Sequence, residues 1–264
     1  KLSRAKADSV WRYLPLSVGD DTRKWLQQSL SGGTVSDVMM HLKGKLADYP
    51  YRGGKTGTFI VKGKFVGGNL DYAPGWPAIE KLSGELLFEG EKMRIRATSG
   101  QVFGANLKDV TAELPDLEAL EQILTIKGKA AGPTSEFLHF IDDSPVAESI
   151  DKATEDMRAV GNGELDLKLV IPLSTEAPAR VEGSYRFFGN RLIVDDDVPP
   201  LTDLNGLLKF TSNSLESKGL RANLLGTPMN AEIKSGSDGN VQVNANGEIS
   251  VAGLRAQYPL PLFD

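Results

Sequence analysis

The chain has 264 residues, room for one large β-domain or two ordinary ones, so it can bury a core without covalent staples. Its formal net charge is −5 with cations and anions interspersed, which leaves no basic stripe to follow a nucleic-acid backbone, and nucleic acid is excluded as a partner. Cysteine is absent, so disulfides, thiolate metal sites and thiol nucleophiles are excluded together.

The opening KLSRAKADSVWRYLPL lacks the apolar centre of a signal peptide, and no apolar run reaches the ~18 to 20 residues that cross a bilayer. A first residue of lysine predicts a piece of something longer, with targeting and anchoring parts outside it. GDDTRKWLQQSLSGG reads as a short helix, with Asp20 or Asp21 at its positive end and Gly32 or Gly33 as its stop. A strand follows at once, in which Val38, Met40 and Leu42 alternate with polar neighbours.

Further alternating runs come with turn signals between them. They are Phe59 to Phe65, Leu82 to Phe88, Met93 to Ala97 and Leu124 to Gly128, then Leu165 to Ile171, Val181 to Phe187, Leu204 to Phe210, Met229 to Ile233 and Val241 to Ala245. About a dozen antiparallel strands result, joined as hairpins and meanders. Helix is expected again over 134–160, first as SEFLHFIDD and then, capped by Ser144 and Pro145, over 144–160 with Gly161 as its stop.

The chain also repeats itself. At an offset of 122 residues Leu82, Gly84, Leu86 and Phe88 fall on Leu204, Gly206, Leu208 and Phe210, while Phe65 falls on Phe187 and Gly104 on Gly226. A unit this long is a helix plus a meander used twice, over about residues 17–134 and 135–256. The expected fold is mainly β with a few short helices. Its core is a long, curved antiparallel sheet forming an open apolar groove, a single continuous segment over 1–264.

Catalytic and metal chemistry find little support. His41 and His139 have no ligand-like or elbow-like surroundings. Gly54-Lys55-Thr56 has Tyr49 where a phosphate loop needs its first glycine, and a strand follows it. Asp142-Asp143 and the run Asp195 to Asp197 lack calcium-loop spacing and read as solvated turns. Trp76, Tyr72, Phe187 and Phe188 could stack on sugars, but they sit in or beside alternating runs that suit packing better. No enzyme, cofactor or metal is expected. The apolar face then needs a cover: a second layer, as in a sandwich, or acyl chains lying in an open trough.

Several stretches, in order along nearly the whole chain, resemble one family: PLSVGDDTRKWLQQSLSGG, LADYPY, LDYAPGWPAIEKLSGELLFEG, LTIKGKAAGP, FIDDSPVAESI and GNGELDLKLVIPL. The chain is similar to the AsmA-like envelope proteins, and among them to the YhdP family. The resemblance implies an internal segment of a bridge-like carrier, anchored in the inner membrane and lying in the periplasm, that moves phospholipids between inner and outer membranes. Implied partners are phospholipid acyl chains, neighbouring segments of the same protein, and the two membranes through regions outside this chain. The family brings no catalytic motif, so the lipid-facing residues are chosen by strand parity: Leu82, Leu86, Phe88, Ile95, Ile126, Leu165, Leu167, Leu169, Ile171, Leu204, Leu208 and Phe210. The competing expectation is a scaffold domain with a closed sheet whose outer surface meets protein or polysaccharide.

Overall fold

The computed structural model describes residues 2–14, 19–236 and 240–248. Thirteen strands make up most of it: β1 (Leu2–Lys6), β2 (Leu30–Gly44), β3 (Gly57–Leu70), β4 (Ile79–Glu89), β5 (Lys92–Val102), β6 (Ala105–Leu114), β7 (Ile123–Pro133), β8 (Arg158–Pro172), β9 (Arg180–Ile193), β10 (Leu201–Thr211), β11 (Leu215–Leu224), β12 (Thr227–Ser235) and β13 (Val241–Gly247). The α-helices are α1 (Asp20–Ser29), α2 (Thr134–Asp142) and α3 (Val146–Ser149). Strand order is chain order, with β1 and β13 as its ends, so the antiparallel sheet is open and does not close into a barrel. The cut between two compact units runs through β7 and β8: Lys1–Lys129 with Lys168–Arg180 form one, and Ala130–Leu167 with Val181–Asp264 the other.

Within each unit the strands carry one interruption that strict alternation does not predict. Asp37, Gly67 and Lys81 in the first unit, and Gly189 and Asp203 in the second, have φ between 52° and 66°. The ladder registers shift at each of them. These are β-bulges, which insert a residue and move the inward side chain from an i, i+2 step to an i, i+3 step. On β3 the inward set thus runs Phe59, Val61, Gly63, Phe65 and then Gly68, which lies opposite Leu82 of β4.

Side chains replace the ladder bonds that the bulges remove. The Gly67 amide donates to Ser83 Oγ at 3.1 Å, and the Gly189 amide donates to Asn205 Oδ1 at 2.9 Å. Both donors and both acceptors are 122 residues apart, as are the left-handed residues Lys81 and Asp203, and Phe103 and Leu225. The offset seen in the sequence therefore recurs in backbone conformation and in hydrogen bonding. Residues 249–256, at the expected end of the second repeat, lie outside the described residues.

Two helix expectations need correction. After Val146–Ser149 the backbone leaves the helix, with Asp151 and Lys152 at φ 52° and 56°, and residues 150–157 form turns before β8 begins. Ser144 does cap α3, its Oγ accepting from the Val146 amide at 3.3 Å. Gly161 is a strand residue: a Cβ there would stand 2.7 Å from Asn190 Nδ2, so close packing and not helix termination demands glycine. Gly32 and Gly33 likewise lie inside β2, where a Cβ on Gly33 would come within 2.6 Å of the Gly68 backbone.

Candidate apolar binding face

In the first unit, direct antiparallel partners share a face, and their rows can be followed strand by strand. One row is Met40, Val61, Phe88, Met93 and Leu114; the next is Gly63, Leu86, Ile95 and Ala112; a third is Val35, Phe65, Gly84, Ala97 and Val110. Leu82 joins this face, since a Cβ on Gly100 would lie 3.0 Å from its Cδ1. Ile126 does so through Gly128, whose added Cβ would meet Val110 Cγ2 at 2.7 Å. Leu169 and Ile171 lie on the last turn-ward stretch of β8, where the Leu173 amide donates to the Gln122 carbonyl at 2.8 Å.

The opposite face of the same strands is charged. Arg94 Nε meets Glu113 at 2.7 Å, Arg96 meets Asp109 at 3.8 Å, and Lys64 meets Asp37 at 3.7 Å.

The second unit repeats the division. Tyr185 lies opposite Leu208, Phe187 opposite Gly206, and Phe210 between Gly183 and Leu215. Gly163 faces the Tyr185 ring, which places Leu165 and Leu167, two and four residues on, on that same side. Leu204 is opposite the buried Asn190. Outward from these strands point Glu182, Arg186, Lys209 and Glu216, and a depression of about 480 Å³ beside Lys209, Glu216 and Lys218 belongs to that polar side.

Few large side chains are fully covered. Of the twelve residues chosen by parity only Leu204, 3% exposed, is buried; the other eleven are half-buried. Among the described residues the buried apolar set is five alanines with Val35, Tyr51, Leu114, Tyr185, Leu204 and Leu220. A sandwich would have buried the middle of each row beneath a second layer. Where this face is covered, the cover is local.

In the second unit that cover is α2. Phe137 packs edge-on against Tyr185, with ring centres 5.1 Å apart, and Tyr185 packs edge-on against Phe187 at 4.9 Å. At the helix start Thr134 Oγ1 accepts hydrogen bonds from the Tyr185 hydroxyl at 2.9 Å and from Asn190 Nδ2 at 2.6 Å. Burial pushes the Tyr185 phenol above its usual range, and the bond to Thr134 offsets part of this. Sequence alternation had found Tyr185 but not its partner; the mark of the contact is the glycine pair Gly161 and Gly163, which clears room for the ring and for Asn190.

The other sequence candidates separate. Phe187 points to the apolar side and Phe188, 49% exposed, to the other, so they do not form a stacking platform. In the acidic run Asp195 Oδ1 accepts from the Asp197 amide at 2.8 Å and Asp196 pairs with Arg158. Among the described residues no group of histidines and carboxylates is arranged to hold a metal ion, and no helix is long and apolar enough to cross a membrane.

A family model described as YhdP protein matches residues 1–264. Among curated proteins, the Intermembrane phospholipid transporter YhdP of Escherichia coli (strain K12) is 26% identical over 254 residues, which is 93% of this chain. The chain spans 19% of the length of that relative. No solved structure matches the chain.

Proposed function

Since the chain belongs to the YhdP family, we propose that it is a non-enzymatic, periplasmic lipid-carrying segment of a longer protein that moves phospholipid between the inner and outer membranes. In this reading each unit offers its own apolar face to lipid, and a part of the protein outside this chain is anchored in the inner membrane. The observation that carries the reading is the row of half-buried leucine, isoleucine and phenylalanine side chains on an open sheet, with the charged side chains on the reverse face. The relative's printed name, an intermembrane phospholipid transporter, supports the choice of cargo.

The chemistry required is passive. Acyl chains lie on Leu82, Leu86, Phe88, Ile95 and Ile126, on Leu165, Leu167, Leu169 and Ile171, and on Leu204, Leu208 and Phe210, gaining about 25 cal/mol for each Å² of apolar surface removed from water. Head groups stay in solvent at the strand ends, so no bond is made or broken. The half-buried leucines favour this over a closed scaffold, where they would be fully covered.

Lipid extraction from the purified protein, followed by mass spectrometry, tests the proposal together with displacement of a fluorescent fatty acid. Bound phospholipid and saturable displacement are expected. A protein free of amphiphile that also fails to bind the probe would refute it.

A further inference from the structure

The hairpin between β2 and β3 does not end in a tight turn. Residues 45–56 fold back onto the apolar face of the first unit. Gly44 and Gly57, direct partners across the two strands, share that face with Leu42 and Phe59. The Tyr51 ring lies on both glycines: an added Cβ would stand 2.7 Å from it at Gly44 and 2.5 Å at Gly57. Tyr49 packs edge-on against Phe59 with ring centres 5.2 Å apart. Tyr51 is 1% exposed, so two glycines form a flat seat that one aromatic ring fills.

What fixes the segment is slight. Its backbone bonds are internal, Asp48 to Lys45, Tyr49 to Leu46, Tyr51 to Asp48 and Gly54 to Tyr51. Its far side is tied by Arg52, which forks onto Asp116 and lies 3.9 Å from Glu118, both in the connection after β6. That pair is solvent-exposed, the kind that holds a position weakly. The Tyr51 hydroxyl is buried with no hydrogen-bond partner, so the closed position keeps a polar group from water that an open position would return to it. The connection after β8, residues 173–179, belongs to the same unit and is exposed throughout.

We propose that residues 45–56 are a lid that competes with an acyl chain for the seat on Gly44, Gly57 and Phe59, with Arg52 and Asp116 as its latch. This deepens the lipid-carrying reading and rests on it. The first unit would accept a chain along its full face only when Tyr51 swings out.

The absence of cysteine lets a pair be introduced cleanly. Three forms of the full chain are compared by stopped-flow loading of a fluorescent fatty acid: wild type, Arg52→Ala/Asp116→Ala, and Arg52→Cys/Asp116→Cys bridged by a short bismaleimide. Loading should be about threefold faster without the latch and slower by a similar factor when bridged. Phe59→Trp in each form, read by quenching with a brominated fatty acid, places the chain at the seat even if bridging is incomplete. Equal loading and equal quenching in forms that bind the probe would overturn the lid alone. No binding in any form would bring down the lipid-carrying reading and the lid with it.

Discussion

The hydroxyl of Tyr185 donates to Thr134 Oγ1, joining the inward face of β9 to the first residue of α2 across 51 positions of sequence. Asn190 donates to the same oxygen and accepts from the Phe188 amide at 2.8 Å, so one wholly buried side chain fills a gap in the strand and anchors the helix. Replacing Asn190 by alanine takes the acceptor from the part-buried Phe188 amide and one of two donors from Thr134 Oγ1. A loss of about 2 to 3 kcal/mol is expected in urea unfolding, whereas Tyr185→Phe, which spares Asn190, should cost about 1 kcal/mol. Equal losses would show that the network is not centred on Asn190.

Gly163 has no room for a methyl group because the Tyr185 phenol occupies the space. Gly163→Ala should cost about 1 to 3 kcal/mol. Combining it with Tyr185→Leu should cost less than the sum of the two single changes. Strict additivity in that double-mutant cycle would contradict the contact.

Leu208 is half-buried opposite Tyr185, and Leu86 is half-buried opposite Ile95. On an open face a glutamate at either position can reach water, so Leu86→Glu and Leu208→Glu should stay folded, at a cost of about 1 to 2 kcal/mol. Fatty-acid loading should nevertheless fall. Circular dichroism and thermal melting decide: global unfolding of both variants would mean that the face is covered.

Three phenols sit above their ordinary range, chiefly because burial disfavours the phenolate: Tyr49, Tyr185, and Tyr72, which is pushed up to about 12. Between about 10 and about 12 the folded chain therefore holds more protons than the unfolded chain. Stability should be unaffected by these groups below that window and should decline as pH rises through it. Phenolate absorbance would show part of the tyrosine set titrating late in the folded state and all of it together in urea. A single ordinary transition in the folded protein would count against the assignment.

How much of this was legible depends on what each signal measures. Alternation reports a side chain's face: Leu86 and Phe88 lie opposite Ile95 and Met93, and Leu208 and Phe210 opposite Tyr185 and Gly183, as a period of two places them beyond the bulges. At Lys81 and Asp203 the period breaks, because a residue with positive φ changes the phase without any apolar cue. The helix expected over 144–160 rested on spacing at Ile150, Ala153, Met157 and Val160, which the left-handed pair Asp151 and Lys152 overrides. Tyr51 was invisible as a plug, since its seat is made by two glycines 13 residues apart that meet only when β2 pairs with β3.

The left-handed strand residues also change what a tolerant surface position is. Asp37, Lys81 and Asp203 are exposed, polar and within strands, where valine or threonine would ordinarily be welcome. At these three positions the order of preference is inverted. A β-branched side chain meets its own backbone, while glycine removes a strain of about 1 kcal/mol. A thermostability screen that enriched strands in valine would lose ground at these residues, and one that placed glycine or asparagine there would gain it.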